Sequence, residues 1–304
     1  MIAIVVNVSG TGKNAPEGGT VSLYLGSVGG TPIATSAAIA AGQNTATFNF
    51  TTGSSPFANA GPYSILARYN GNANVSAADS AAHALTLTQV TPTVTFNTGA
   101  STSSAALGAS LTFEVNVTGS GSASPAGGTV SLYITDFSGA AIATSAAIGG
   151  GSNKATFAFT AGSAPFANAG SYSLVARYNG NTNVAAADSS LSTPLALTLT
   201  KATSTTTLSV SPSSVAFSTT QSYTFTAKVT PTTFGGQSGT VSFQDDVSGS
   251  FVEIGTGTVS LVAGEYVATF STTFGAGTHH IRAVYAGNTN FSGSTSTPPI
   301  LLGP

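Results

Sequence analysis

One block of this sequence occurs twice, 109 residues apart, and that repeat constrains the fold more than any other feature. TSAAIAAGQNTATFNFTTGSSPFANAGPYSILARYNGNANVSAADS (Thr35–Ser80) returns little changed as TSAAIGGGSNKATFAFTAGSAPFANAGSYSLVARYNGNTNVAAADS (Thr144–Ser189). A third, diverged copy keeps ATFST (Ala268–Thr272) and AGTHHIRAVYAGNTNFSGSTS (Ala276–Ser296). Three anchors run through all copies. GTVS begins at Gly19, Gly128 and Gly239; the Phe of ATF is Phe48, Phe157 and Phe270; the Tyr before (N/A)GN is Tyr69, Tyr178 and Tyr285. Long internal repeats are units of architecture. A unit of this length is too long for a solenoid turn and is the size of one immunoglobulin-like sandwich.

The local pattern agrees. LTFEVNV (Leu111–Val117), TVSLY (Thr129–Tyr133), ATFAF (Ala155–Phe159) and YSLVARY (Tyr172–Tyr178) alternate apolar and polar residues. A period of two with one buried face is the mark of antiparallel strands. Clusters of Gly, Asn, Ser and Pro separate them, and no window sustains a period of 3.6. The expected fold is all-β: three tandem immunoglobulin-like β-sandwiches at residues 1–90, 91–202 and 203–304, joined by the short linkers Gln89–Pro92 and Thr200–Ser204. Strands of about ten residues at about 3.3 Å each would make each sandwich about 35 Å long, and three in line a rod of about 100 Å. Parity places Phe113, Phe157, Val241 and Ile281 inside, and Glu114, Lys228 and Arg282 exposed on sheet faces or in an interface.

The third copy carries a family resemblance. GTVSF (Gly239–Phe243), followed by A-G-T-x-x-I-x-A-V-Y-x-G-N-x-N-F-x-G-S-T-S (Ala276–Ser296), resembles the bacterial Ig-like repeat domains of large surface and adhesin-like proteins. The resemblance extends over the whole chain through the repeats. The first two copies depart from it in the ARYNGN spelling and the SPFANAG insertion. It implies extracellular spacer, stalk or adhesive modules rather than catalysis, although a fold alone does not fix function.

Aligned through GTVSLY, the opening MIAIVVNVSG (Met1–Gly10) falls on SLTFEVNVTG (Ser110–Gly119). The opening stretch is therefore a core strand. It lacks the basic n-region and the longer apolar run of a secretory signal. The same alignment shows an absence. The second copy has TPTVTFNTGASTSSAALGA (Thr91–Ala109) ahead of this strand and the third has TSTTTLSVSPSSVAFSTTQ (Thr203–Gln221), but the first has nothing. The first sandwich should lack its N-terminal edge strand, leaving a bare row of main-chain donors and acceptors. Its outward positions Ala3 and Val5 stand where the second copy has Thr112 and Glu114. At the other end, Ile300, Leu301 and Leu302 follow Pro298-Pro299, and prolines weaken a ladder. Ile2, Ala3, Val5, Ile300, Leu301 and Leu302 are the candidate polymer interface, in which the last strand of one subunit completes the open edge of the next.

Other chemistry is sparse. Charged residues are 5% of the chain and the net charge is −2, so there is no basic field for nucleic acid or anionic lipid. No apolar run approaches the roughly 18 residues that span a bilayer. Cysteine is absent, so neither disulfides nor thiolate sites are available. His279 and His280 are adjacent on a strand and leave opposite faces, so they cannot share a metal; His279 replaces Tyr63 and Tyr172 in the repeat frame. Those tyrosines suit a tyrosine-corner-like contact. Asp245-Asp246 is expected in a hairpin turn rather than at calcium. The YNGN segments at Tyr69 and Tyr178 could offer amide oxygens to a cation, but without carboxylates such binding is weak. A lysine–asparagine isopeptide bond is not expected, because Lys228 points outward and Lys154 lies beside a turn. N-x-S/T sequons at Asn7, Asn49, Asn74, Asn116 and Asn290 are partly a matter of chance in so Thr- and Asn-rich a chain. No phosphate loop, acid pair or nucleophile–base set is present, which argues against an enzyme and against any cofactor. The expected function is an extracellular or cell-surface structural protein, a self-associating head-to-tail filament or stalk. The alternative is a carbohydrate-binding or adhesive module of a larger secreted protein, with a glycan or surface partner.

Overall fold

Alternation decides which face of each strand is buried. In the strand Ser110–Thr118, Leu111, Phe113, Val115 and Val117 are wholly buried, while Thr112 and Thr118 are exposed between them. The computed structural model describes every residue except 11–15, 120–122, 214–215, 231–235, 248 and 304. The described residues form strands, turns and loops, and no helix among them is long and apolar enough to cross a membrane.

The strands form three successive two-sheet sandwiches. In the second, Thr93–Phe96 and Lys154–Thr160 flank Ser110–Thr118. The facing sheet runs Ala143–Thr144, Val130–Ile134, Gly170–Tyr178, Leu195–Thr200 and, in parallel, Ser104–Ala106; Ala187–Asp188 also pairs with Gly170–Tyr178. The segment before Ser110 thus crosses between sheets and covers an edge of each. The third sandwich sets Thr205–Ser211, Tyr223–Thr230, Glu265–Thr272 and Ser260–Val262 against the sheet of Ser250–Thr258, Thr240–Val247 and His279–Tyr285. In the first, Ile2–Asn7 pairs only with Thr45–Phe50, and no strand lies along its other edge among the described residues. The facing sheet of Ala34–Thr35, Val21–Leu25, Gly61–Tyr69, Ala78–Asp79 and His83–Leu87 likewise has no parallel strand among the described residues.

In the first two copies the Gly and Tyr anchors meet in one contact. The Tyr178 ring lies flat on Gly128, where a Cβ would stand 2.3 Å from its Oη, and Tyr69 covers Gly19 in the same way. Tyr178 Oη donates to Pro125 O at 3.0 Å, Tyr69 Oη to Pro16 O at 3.0 Å and Tyr285 Oη to Ser238 O at 2.8 Å. Burial pushes the Tyr178 and Tyr285 phenols above their ordinary range. GTVS and Tyr-x-Gly-Asn recur together because each supplies half of this packing. Phe157 and Phe48 are buried in the same cores as these tyrosines, and Phe270 stacks on Phe243.

Phe113, Phe157, Val241 and Ile281 are all in the core. Lys228 lies on an outer face, half-exposed, and pairs with Glu265. Arg282 is half-buried, with its guanidinium 3.7 Å from the centre of the Phe251 ring and Nε donating to Gln244. Glu114 is less exposed than parity suggests, at 16% for its side chain. The crossing segment folds over it: Asn97 Nδ2 donates to its carboxylate at 2.5 Å and Lys154 Nζ at 2.9 Å. The Asn97 amide, and then Lys154, hold this carboxyl below its ordinary value of 4.5. A depressed carboxyl stabilises the fold fully above its unfolded value and ceases to do so as pH falls through the folded one. Acid melting of the second sandwich should therefore steepen below pH 4.5, and Glu114→Gln should flatten that limb in a series of thermal scans from pH 7 to pH 3.

Asp245-Asp246 is not a turn. The strand Thr240–Val247 runs through both residues because its hairpin with Ser250–Thr258 is longer than in the other copies. Only Asp246 serves the turn, accepting from Gly249 N–H at 2.8 Å. Asp245 is buried, and its carboxylate takes His279 Nδ1 at 2.5 Å and His280 N–H at 3.1 Å. The other ring nitrogen of His279 lies 3.2 Å from Gly275 O, matching Tyr63 Oη to Asn59 O at 2.7 Å and Tyr172 Oη to Asn168 O at 2.8 Å.

Candidate functional site

The loop after the anchor tyrosine is built to hold its shape. Gly180 has φ +84°, and a Cβ there would meet Ala186 N at 3.0 Å, so glycine is required. Asn181 then caps the loop: its Oδ1 accepts from the N–H groups of Asn183 at 2.9 Å and Val184 at 2.8 Å. Asn72 does the same for Asn74 (2.8 Å) and Val75 (2.6 Å), and Asn288 for Asn290 (2.8 Å) and Phe291 (2.9 Å). Of the amide oxygens considered for a cation, those of Asn72 and Asn181 are therefore engaged with main-chain donors. No group of three or more His, Asp or Glu able to hold a metal ion occurs among the described residues.

This loop is where one sandwich meets the one before it. At the first joint the linker residue Val90 lies in a parallel bridge with Val184: Val90 N–H donates to Asn183 O at 2.9 Å, and Ala185 N–H to Val90 O at 2.8 Å. The Asn183 side chain reaches back to the first sandwich. Its Oδ1 accepts from Ala60 N–H at 2.7 Å and its Nδ2 donates to Ala58 O at 3.1 Å. The second joint repeats the first. Ala202 bridges Phe291, Asn290 Oδ1 accepts from Ala169 N–H at 3.0 Å, and Asn290 Nδ2 donates to Ala167 O at 3.2 Å. A linker side chain adds one more bond at each: Gln89 Nε2 to Asn181 O at 2.7 Å, and Lys201 Nζ to Asn288 O at 2.5 Å. Val184 and Phe291 are wholly buried. Neighbouring domains in a chain move relative to one another by default. A side-chain amide that bonds both an N–H and a C=O of its neighbour, beside a linker held in a bridge, ties the two sandwiches together at each joint.

In the sequence, Asn74 and Asn290 were named only as sequons, and the second asparagine of G-N-x-N was not recognised as a contact between sandwiches. The available signal was its recurrence in all three copies before an apolar residue, together with Phe-Ala-Asn-Ala-Gly in the two copies whose pole is docked. The third copy has Phe274-Gly275-Ala276-Gly277 there.

The candidate polymer residues lie elsewhere. Ile2, Ala3 and Val5 sit on the open strand. Ile2, Ile4 and Val6 are half-buried where Leu111, Phe113 and Val115 are sealed, and Val5 is 56% exposed. Ile300, Leu301 and Leu302 form a strand on His279–Ile281 of their own sandwich, with Leu301 63% exposed. The structure does not bring the two groups together within one chain.

Residues 207–301 match the family described as bacterial Ig-like domain (group 3). No curated protein sequence matches the chain. Among solved structures, the chain is similar to the fibronectin(III)-like modules of Clostridium thermocellum CbhA, with 18% identity over 69% of this chain and 91% of that one and a TM-score of 0.25. It is also similar to the Yersinia pseudotuberculosis adhesin InvE, with 15% identity over 69% of this chain and 58% of that one and a TM-score of 0.35. Over residues 207–301 the chain is similar to the bacterial Ig-like domain family, and two further β-sandwiches precede that segment.

Proposed function

We propose that this protein is a non-catalytic extracellular structural protein, a stiff segment of a surface stalk or the subunit of a head-to-tail filament. The observation that supports it most is the joint repeated atom for atom at Asn183 and Asn290. A structure that transmits length and direction needs fixed angles between its modules. A surface of hydroxyls and amides with 5% charged residues suits exposure to changing salt. The filament form adds a strand along the open edge at Ile2–Asn7, where main-chain hydrogen bonds supply affinity and side-chain positions supply register. A head-to-tail contact that does not close into a ring builds a fibre. For Ile300–Leu302 to be the donor, that strand would exchange its place on His279–Ile281 for one on a neighbour. Negative-stain microscopy of the purified chain tests the reading: filaments that persist in moderate salt support strand addition, isolated rods support the stalk alone, and collapsed particles contradict both.

One place favours the adhesive reading. On the second sandwich, Tyr133 and Phe137 meet edge to face at 5.3 Å, and the Arg177 guanidinium lies 4.9 Å from the centre of the Phe137 ring. The turn between the two aromatics is strained, because Thr135 has φ +74° where the first copy has Gly26 at +78°. A β-branched residue costs about 1–2 kcal/mol in that region. Thr135→Gly should raise the second sandwich's stability by about 1 kcal/mol in a denaturant titration. Specific glycan binding that Phe137→Ala removes would establish the adhesive reading, and silence on a glycan array would count against it.

A further inference from the structure

We infer that the exposed pole of the first sandwich is a preformed half-joint, and that Asn74 docks it onto another sandwich of this repeat. The inference rests on the stacked reading of the chain and names the partner that such a stack takes at this pole. Asn74, Val75 and Ser76 correspond to Asn183, Val184 and Ala185. Asn72 holds their loop in the docked shape, with the same two Oδ1 contacts and with Asn72 N–H bonded to Val75 O at 2.9 Å, as Asn181 N–H bonds Val184 O at 2.9 Å. Gly71 has φ +86° against +84° for Gly180. The loop is therefore organised before anything binds.

What differs is the cover. Asn183 is half-buried and Val184 sealed, whereas Asn74 is exposed and Val75 half-buried. Among the described residues, the Asn74 side-chain amide, Asn74 C=O and Ser76 N–H have no hydrogen-bond partner. These are the groups that at the first joint hold Ala58 O, Ala60 N–H and both main-chain groups of Val90. The partner they fit presents a C=O and an N–H two residues apart in a tight turn, beside an extended residue leaving a sandwich. Phe-Ala-Asn-Ala-Gly at 57–61 and 166–170, followed by Val90 and Ala202, is that partner in both occupied joints.

The test exploits the period of the repeat. Placing residues 1–109 ahead of Met1 of the full chain adds one unit in register, because Met1 aligns with Ser110. It supplies the missing edge strand and a docking pole together. In hydrogen exchange, Ser76 N–H of the inner copy should be protected at least tenfold more than in the parent chain. Asn74→Ala in that copy should abolish the gain, and because Asn74 is exposed in the parent chain its replacement there should change nothing. The inference is overturned if Ser76 gains no protection, or if Asn74→Ala leaves the gain intact, while Asn183→Ala still deprotects Ala60 and Ala185. If Asn183→Ala also leaves Ala60 and Ala185 unchanged, the joint itself is misread and the inference falls with it.

Discussion

Phe166→Ala should lower the melting temperature of the second sandwich by more than about 10 °C while the other two sandwiches melt as before. Phe166 is wholly buried at the meeting point of both sheets. Its ring lies 5.8 Å from Phe113, 5.2 Å from Phe159 and 5.3 Å from Tyr172, the last two edge to face. Truncating a buried Phe costs about 3–5 kcal/mol, because the removed ring leaves a cavity that close-packed neighbours fill only in part. Each kcal/mol shifts a domain of this size by about 4–8 °C. With no disulfide available to hold the sandwich together, the loss falls on the fold itself. Differential scanning calorimetry reads the effect directly, as one transition displaced from the rest.

Gly128→Ala should be nearly as damaging, although it adds a single carbon. The new methyl would stand 2.3 Å from Tyr178 Oη and 2.4 Å from its Cε2. Tyr178 is wholly buried between the sheets, so the ring cannot move without disturbing the core. Overpacking of this kind costs about 1–3 kcal/mol. Displacing the phenol from Pro125 O adds about 1 kcal/mol for the lost hydrogen bond. The double variant Gly128→Ala, Tyr178→Phe should be less destabilised than the sum of the two single changes, because both single changes lose the same Tyr178 Oη–Pro125 O bond, while the collision with ring carbons Cε2 and Cζ persists. Chemical denaturation of the four chains measures the coupling.

Much of the fold was legible because strand parity is strict. Phe113, Phe157, Val241 and Ile281 could be placed inside from alternation alone, and the opening Ile2–Asn7 could be recognised as a strand from its alignment to Ser110–Thr118. The missing edge was legible by subtraction between copies. Three things were not. Glu114 points outward as parity requires, but the segment that buries it crosses from one sheet to the other, and no local pattern announces that path. Asp245 lies in a hairpin that only the third copy extends, so the repeat offered no template for its pairing with His279. The joint asparagines bond to groups more than 120 residues away in sequence, and their loops look like any polar turn until the sandwiches are stacked.

If these asparagines hold the three sandwiches in a fixed line, replacing them should loosen the line without unfolding the sandwiches. Small-angle X-ray scattering of the parent chain beside the Asn183→Ala, Asn290→Ala double variant tests it most directly. Each replacement removes an amide bonded to two main-chain groups, worth about 0.5–1.5 kcal/mol per bond, and leaves every core untouched. The parent should scatter as a single rigid shape. The variant should keep all three sandwiches folded but scatter as a mixture of bent forms with a broadened distance distribution. Identical scattering from the two chains would contradict it.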